Sequence, residues 1–148
     1  MSTTRSSLFG RGLLAAVALA GLAGCGSAPS GTAPQVPPAR MERIGHSQTP
    51  SVVLTPLGAR RIGIETAQAV ADGPLIVIPY SALLYEPDGQ TAVYVKVSAL
   101  VYTRRFVTVS TVNGNKVMLT GGLQSGTEVV SRGGEELLGV QNGVGVET

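Results

Sequence analysis

Glycine and proline punctuate this chain so densely that no long helix fits between them. Twenty Gly and nine Pro fall among 148 residues, about a fifth of the whole, and both residue types disrupt helix interiors. Between the breaks the sequence is rich in Val, Ile, Thr and Tyr, which favour strands. From residue 75 onward the pattern is one of hairpins. Residues 75–78 are an apolar β run whose ladder Pro79 interrupts, and 81–85 continue extended. Glu86-Pro87-Asp88-Gly89 is a turn, with Pro presetting φ and Gly supplying positive φ. Residues 91–97 place Val93, Val95 and Val97 on one face, and 101–112 form one long strand. Asn113-Gly114 is a strong hairpin signal, with 116–120 as the returning strand. Gly121-Gly122 turns the chain again, 128–131 is a short strand ended by Gly133-Gly134, and 135–140 suit a short helical turn.

The preceding stretch begins with a strand at 52–54. Thr55 then caps a short helix with Pro56 at its first position, running to about residue 62. Ile62, Ile64 and Thr66 alternate with Gly63, Glu65 and Ala67 as a strand does, and 71–74 is a turn. Residues 51–140 are therefore expected to form a mainly β domain, a small antiparallel β-barrel or sandwich-like unit with one short helix. A tail follows at 141–148.

The N-terminus is a targeting segment. Arg5 and Arg11 precede an apolar run at 13–23, eleven residues long, the arrangement of a secretory signal. At about 1.5 Å per residue that run is too short to cross a hydrocarbon core of about 30 Å. Leu22-Ala23-Gly24-Cys25 resembles the lipobox of bacterial lipoproteins. The resemblance implies a signal peptide at 1–24, cleavage before Cys25 and fatty acylation of its thiol with palmitate-type chains. Cys25 is also the chain's one cysteine, so no disulfide within the chain and no Cys-based zinc site can form. Residues 25–50 carry Pro29, Pro34, Pro37, Pro38 and Pro50 and no apolar periodicity. They are expected to be a disordered, flexible tether.

Charge adds an exclusion. Charged residues are 14% of the chain, low for a soluble domain and against a charged tail or coiled coil. Removing 1–24 removes two of eleven basic residues and none of the nine acidic ones, leaving nine of each. No basic footprint for nucleic acid remains.

Catalytic constellations are not expected. Ser125 lies in Gly-Gly-Leu-Gln-Ser-Gly, which is not a nucleophile elbow, and the one His, His46, falls in the tether. Glu135 and Glu136 are adjacent and so diverge in helix or strand. Met41 and His46 are two potential soft-metal ligands five apart on a tether, which makes a solvated linker the better reading. No metal or other cofactor is expected. Arg104 and Arg105 face opposite sides of a strand, so one of them should pack its stem or pair with an acid. Arg60 and Arg61 suit a solvated face, and Tyr80, Tyr85, Tyr94 and Tyr102 are expected to be packing residues with wet hydroxyls.

Four motifs in order carry a further resemblance. They are Val77-Ile78-Pro79-Tyr80-Ser81-Ala82-Leu83-Leu84, then Asp88-Gly89-Gln90-Thr91-Ala92-Val93-Tyr94-Val95, then Arg105-Phe106-Val107-Thr108-Val109, then Gly122-Leu123-Gln124-Ser125-Gly126-Thr127-Glu128-Val129-Val130. Together they resemble the C-terminal, membrane-proximal part of periplasmic adaptor proteins, the membrane fusion proteins (HlyD-type) of bacterial efflux systems. Val53-Leu54-Thr55 through Ile62-Gly63-Ile64-Glu65-Thr66 is similar to the leading segment of such adaptors. Family members place a lipoyl-like domain and a long helical hairpin between these parts, whereas here Val70 passes through Ala71-Asp72-Gly73-Pro74 straight into the next strand.

The resemblance implies a face that docks on an inner-membrane efflux transporter, without a tube reaching an outer-membrane channel. It implies a non-enzymatic, lipid-anchored adaptor or accessory subunit on the outer side of the cytoplasmic membrane, in the periplasm of a two-membrane cell, with outer-membrane sorting and homo-oligomerisation left open. Exposed turn residues are the expected contacts, namely Tyr85, Asp88 and Gln90 in one loop and Leu123 and Gln124 in another. For Leu123 the alternative is a plug at the end of the β domain. The alternative for the whole chain is a stand-alone envelope lipoprotein binding a small molecule, a metal ion or an envelope polymer.

Overall fold

The computed structural model describes residues 36–44 and 49–143. Cys25, His46 and the tail beyond residue 143 lie outside the described residues, and so does most of the expected tether. The described residues form eleven strands and two α-helices. The strands are β1 (Ala39–Glu42), β2 (Ser51–Leu54), β3 (Glu65–Gln68), β4 (Val70–Asp72), β5 (Leu75–Pro79), β6 (Leu84–Tyr85), β7 (Thr91–Ser98), β8 (Val101–Phe106), β9 (Thr108–Asn113), β10 (Lys116–Gly121) and β11 (Glu128–Arg132). The helices are α1 (Pro56–Ile62) and α2 (Gly134–Gln141), with a 3₁₀ turn at Tyr80–Ala82.

The strands make two antiparallel sheets. The larger runs β1-β2-β8-β7-β11-β3, with β6 added to β7, and the smaller runs β4-β5-β10-β9. Neither closes, so the barrel alternative is corrected in favour of two packed open sheets. The chain changes sheet at corners. One is Ala69, between β3 and β4, whose N–H donates to Thr127 O at 2.8 Å while its own carbonyl accepts from Gly126 N–H at 2.7 Å. The other is Val107, buried between β8 and β9 and held by Val107 N–H to Thr91 O (2.9 Å) and Thr91 Oγ1 to Val107 O (2.8 Å). The single long strand expected over 101–112 is therefore two strands in two sheets. Its apolar, β-branched sequence carries no break signal, because a corner residue in a sandwich is itself core.

Each face of the larger sheet has its own core. Val93, Val95 and Val129 meet Ile78, Val117, Leu119 and Leu123 between the sheets. On the opposite face Val52, Leu54, Tyr94, Tyr102 and Val130 pack under Leu137 of α2 and the flank of α1. Successive side chains of a strand point to opposite faces, so β7 is buried on both sides at once. Val97, expected beside Val93 and Val95, is instead 54% exposed, within the irregularity of the β7–β8 register between Lys96 and Ser98.

Two boundaries also differ from expectation. The helix begins as read, with Thr55 Oγ1 accepting from Gly58 N–H at 3.0 Å. It includes Ile62 and ends on Gly63 in the left-handed conformation, so the following strand starts only at Glu65. The short helical turn expected at 135–140 is a full helix, α2, so the domain has two helices rather than one. The larger correction is β1. Part of the expected tether is a strand, paired with β2 from Ala39↔Leu54 to Glu42↔Ser51. Ala39 is buried, Met41 packs on the same core, and Pro38 O accepts from Thr55 N–H at 3.0 Å. Gly58 permits this approach, because a Cβ there would lie 2.3 Å from Pro38 O.

Candidate docking surface

The loop at 86–90 is a tightly bonded turn. Glu86 N–H donates to Gln90 O at 2.8 Å and Gly89 N–H to Glu86 O at 2.9 Å. Asp88 accepts twice from Gln90, at Oδ1 from the backbone N–H (3.1 Å) and at Oδ2 from Nε2 (2.7 Å). Glu86 is tied to β8 by Arg104, whose Nη1 lies 3.0 and 3.1 Å from the two carboxylate oxygens. Both side chains of this pair are largely shielded from water. Arg104 Cζ also sits 5.4 Å from the centroid of Phe106, within cation–π range. Arg104 is thus the arginine of the doublet that pairs with an acid, and Arg105 is exposed. The loop's tip presents Asp88 and Gln90 to solvent on a braced base.

The second loop, 122–127, starts at the β8–β9 corner. Gly122 has φ +98°, and a Cβ there would lie 2.4 Å from Phe106 O and 2.8 Å from Val107 Cα. The β8–β9 corner that receives Gly122 is the one bonded to Thr91, immediately after the first loop. A concavity of about 430 Å³ lies at this corner, lined by Gln90, Thr91, Phe106, Thr108 and Val109 among others. The second loop thus begins at the corner beside the first loop, whereas its last residues, Gly126 and Thr127, are bonded to Ala69 at the other corner.

The five expected contact residues do not share one fate. Tyr85 is 59% exposed, and Asp88, Gln90 and Gln124 are exposed. Leu123 is not a surface contact. It is 9% exposed and belongs to the core between the sheets. The structure places it as the plug alternative has it, in the same buried cluster as Val107. Tyr80 was missed as a surface residue. It is 42% exposed and shares a hydrogen bond with Tyr85, which together with some burial raises the Tyr85 phenol above its ordinary pKa. Pro79 does not interrupt the ladder as expected, since it pairs with Lys116 and Tyr80 N–H still bonds Asn115 O at 2.9 Å; the 3₁₀ turn that starts at Tyr80 is what leaves the strand.

The other tyrosines divide. Tyr94 and Tyr102 are buried, and Tyr94 OH donates to Gln141 Oε1 of α2 rather than to water. Burial pushes both phenols up. Glu135 and Glu136 lie in the first turn of α2, where negative charge favours the helix dipole, and both are exposed. Ser125 is an exposed loop residue. Among the described residues no three His, Cys, Asp or Glu side chains gather as a metal site would require. Among them too, no helix is long and apolar enough to cross a membrane. This end of the domain offers exposed aromatic and amide groups on rigid turns, which suits protein contact.

No curated protein and no solved structure matches the chain. A family model does match, the one described as RND MFPs, C-terminal permuted SH3 domain, over residues 75–136. The matched stretch runs from β5 into the start of α2 and includes both loops. Strands β1 to β4 and helix α1 lie before it. Over residues 75–136 the chain is thus similar to the C-terminal domain of RND membrane fusion proteins, which supports an adaptor of that type.

Proposed function

We propose that this chain is a lipid-anchored, non-enzymatic adaptor or accessory subunit of an RND-type efflux transporter. The observation that carries the proposal is the family match over residues 75–136. Two features of the molecule support it. The exposed residues of the first loop stand on a corner braced by Arg104–Glu86 and Val107–Thr91, and the lipobox ending at Cys25 would place the domain at a membrane surface. In this reading Tyr85, Asp88, Gln90 and Gln124 contact the transporter. Leu123 holds the second loop in place from the core.

Affinity capture of the tagged full chain from detergent-solubilised membranes tests the proposal. Wild-type chain should retain an RND transporter of the same cell. Tyr85→Ala combined with Gln124→Ala should lower recovery by about tenfold, the loss of one or two interface anchors, with the circular dichroism spectrum unchanged. Recovery equal to wild type would remove these loops from the interface, and no transporter recovered by any form would overturn the adaptor reading. Cys25→Ser should abolish lipid label and leave the chain unprocessed or soluble. A processed, acylated product from that variant would refute the anchor.

A further inference from the structure

The smaller sheet has an outer face that its sequence does not explain as a solvent face. Strand β5 reads Leu-Ile-Val-Ile-Pro, apolar at every position, a pattern found where strands are covered on both sides. Among the described residues only one side is covered. Ile76 and Ile78 face the core between the sheets. Leu75, Val77 and Pro79 point the other way and are half-buried. The cross-strand register extends the stripe, because Val77 is opposite Met118 on one side and Val70 on the other. Val70 is 58% exposed. An open groove of about 510 Å³ runs along this face, with Val70, Val77 and Pro79 among its walls.

Charge brackets the stripe at opposite ends. Asp72 is opposite Leu75 at one end of β5, and Lys116 is opposite Pro79 at the other. Both line the groove and both are exposed. Neither takes part in any of the ion pairs among the described residues, which join Arg40–Glu42, Lys96–Glu128, Arg104–Glu86 and Arg132–Glu65.

We propose that this face is covered by the same face of a second copy of the chain, in an isologous dimer. An in-plane two-fold axis midway between Asp72 and Lys116 sets the apolar stripe against itself and brings each Asp72 over the partner's Lys116. One lone acid and one lone base on a single patch are thereby satisfied twice by one operation, as closed two-fold contacts require. Four strands at about 4.8 Å spacing and five residues at about 3.3 Å rise give roughly 250 Å² of sheet per copy. That is below the standard interface size, so the dimer is weak and concentration-dependent. The surface lies on the smaller sheet and does not include the loop residues of the proposed transporter contact. Its failure would leave that proposal standing.

Sedimentation equilibrium of the full chain in density-matched detergent reads the outcome directly. Wild type should pass from monomer to dimer with rising concentration. Val77→Lys should remain monomeric with an unchanged melting temperature. Asp72→Lys alone and Lys116→Asp alone should each weaken dimerisation by about tenfold or more, through like charges brought face to face. The double variant D72K/K116D should restore it, because the two-fold axis pairs the swapped charges again. A monomer at all concentrations overturns the proposal. A dimer indifferent to Val77→Lys, or a double variant no better than the singles, does so too. Loss of transporter recovery on Val77→Lys, with the mass monomeric throughout, would assign the face to the transporter instead.

Discussion

The two sheets of this domain contain equally apolar strands in unequal circumstances. In the larger sheet β7 has Val93 and Val95 against the smaller sheet and Tyr94 under the helices. In the smaller sheet β5 has Ile78 against the core and Val77 on an open groove. A continuous apolar run in sequence signals cover on both faces, and the described residues supply both covers only for β7. The difference teaches that β5 carries information about something beyond the described residues. It also explains why α1 and α2 exist in a chain otherwise made of hairpins, since they cover the second face of the larger sheet.

The strongest way to break this comparison is to place the same charge on each strand. Val95→Asp buries an unpaired carboxylate between the sheets and should cost about 3–5 kcal/mol. That approaches the whole net stability at the low end of the usual range, roughly 5–15 kcal/mol, where a domain this small falls. Thermal melting should show the variant unfolded or nearly so at 25 °C. Val77→Asp puts the carboxylate at the open groove and should change stability by less than about 1 kcal/mol. Equal losses at the two positions would mean that the outer face of the smaller sheet is covered within the monomer.

A second test removes an edge of the larger sheet. A chain starting at Ser51 lacks β1, and with it four paired residues, the Ala39 contact and the Pro38 carbonyl that receives Thr55 N–H. Uncovering the apolar surface beneath Ala39 and Met41 should lower stability by about 2–3 kcal/mol, visible as a drop in urea midpoint. A chain starting at Val36 keeps these contacts and should match the full chain. If both truncations melt alike, β1 contributes nothing and the expected tether extends to residue 50 after all.

Local chemistry made much of this fold legible before any coordinates. Thr55 and Pro56 marked the start of α1, and Gly-containing turns marked most hairpins. The Asn113-Gly114 signal was right in place and off by one in register. Asn113 pairs with Lys116, so Gly114 and Asn115 are the central residues, with positive φ only at Gly114. The illegible parts were those decided at long range. Residues 39–42 alternate Ala-Arg-Met-Glu as an edge strand should, but the prolines before them outweighed so short a pattern. Val107 looked like any strand residue because a corner between sheets is as apolar as a strand. Leu123 followed a glycine pair and could have pointed either way until Gly122 was seen pressed against Phe106 and Val107. The path of the 122–127 loop from the Val107 corner to the Ala69 corner is likewise set at long range, and no local signal announces it.

The smallest expected effect concerns how dry the helix-covered face of the larger sheet is. Tyr94 is buried there, with its hydroxyl donating to Gln141. Burial above all raises its phenol well above the ordinary value of 10.0; the nearby Arg104 charge opposes the shift and the Glu86 charge adds to it. The folded state therefore favours the neutral phenol. The stabilisation is fully present below about pH 10, where the unfolded phenol is also neutral, and is lost as pH rises toward the folded value. Tyr94→Phe removes both the hydrogen bond and the ionisation. At pH 7 the variant should be less stable by about 1 kcal/mol. Between pH 10 and 11.5 the gap should close, because only the wild type is still losing stability to Tyr94. Tyr102, whose phenol is also raised by burial, is present in both proteins and cancels from the difference. Melting temperatures of the pair across that range measure the effect. A gap that stays constant with pH would show that water reaches Tyr94 in the folded state and that α2 covers the sheet less completely than its contacts imply.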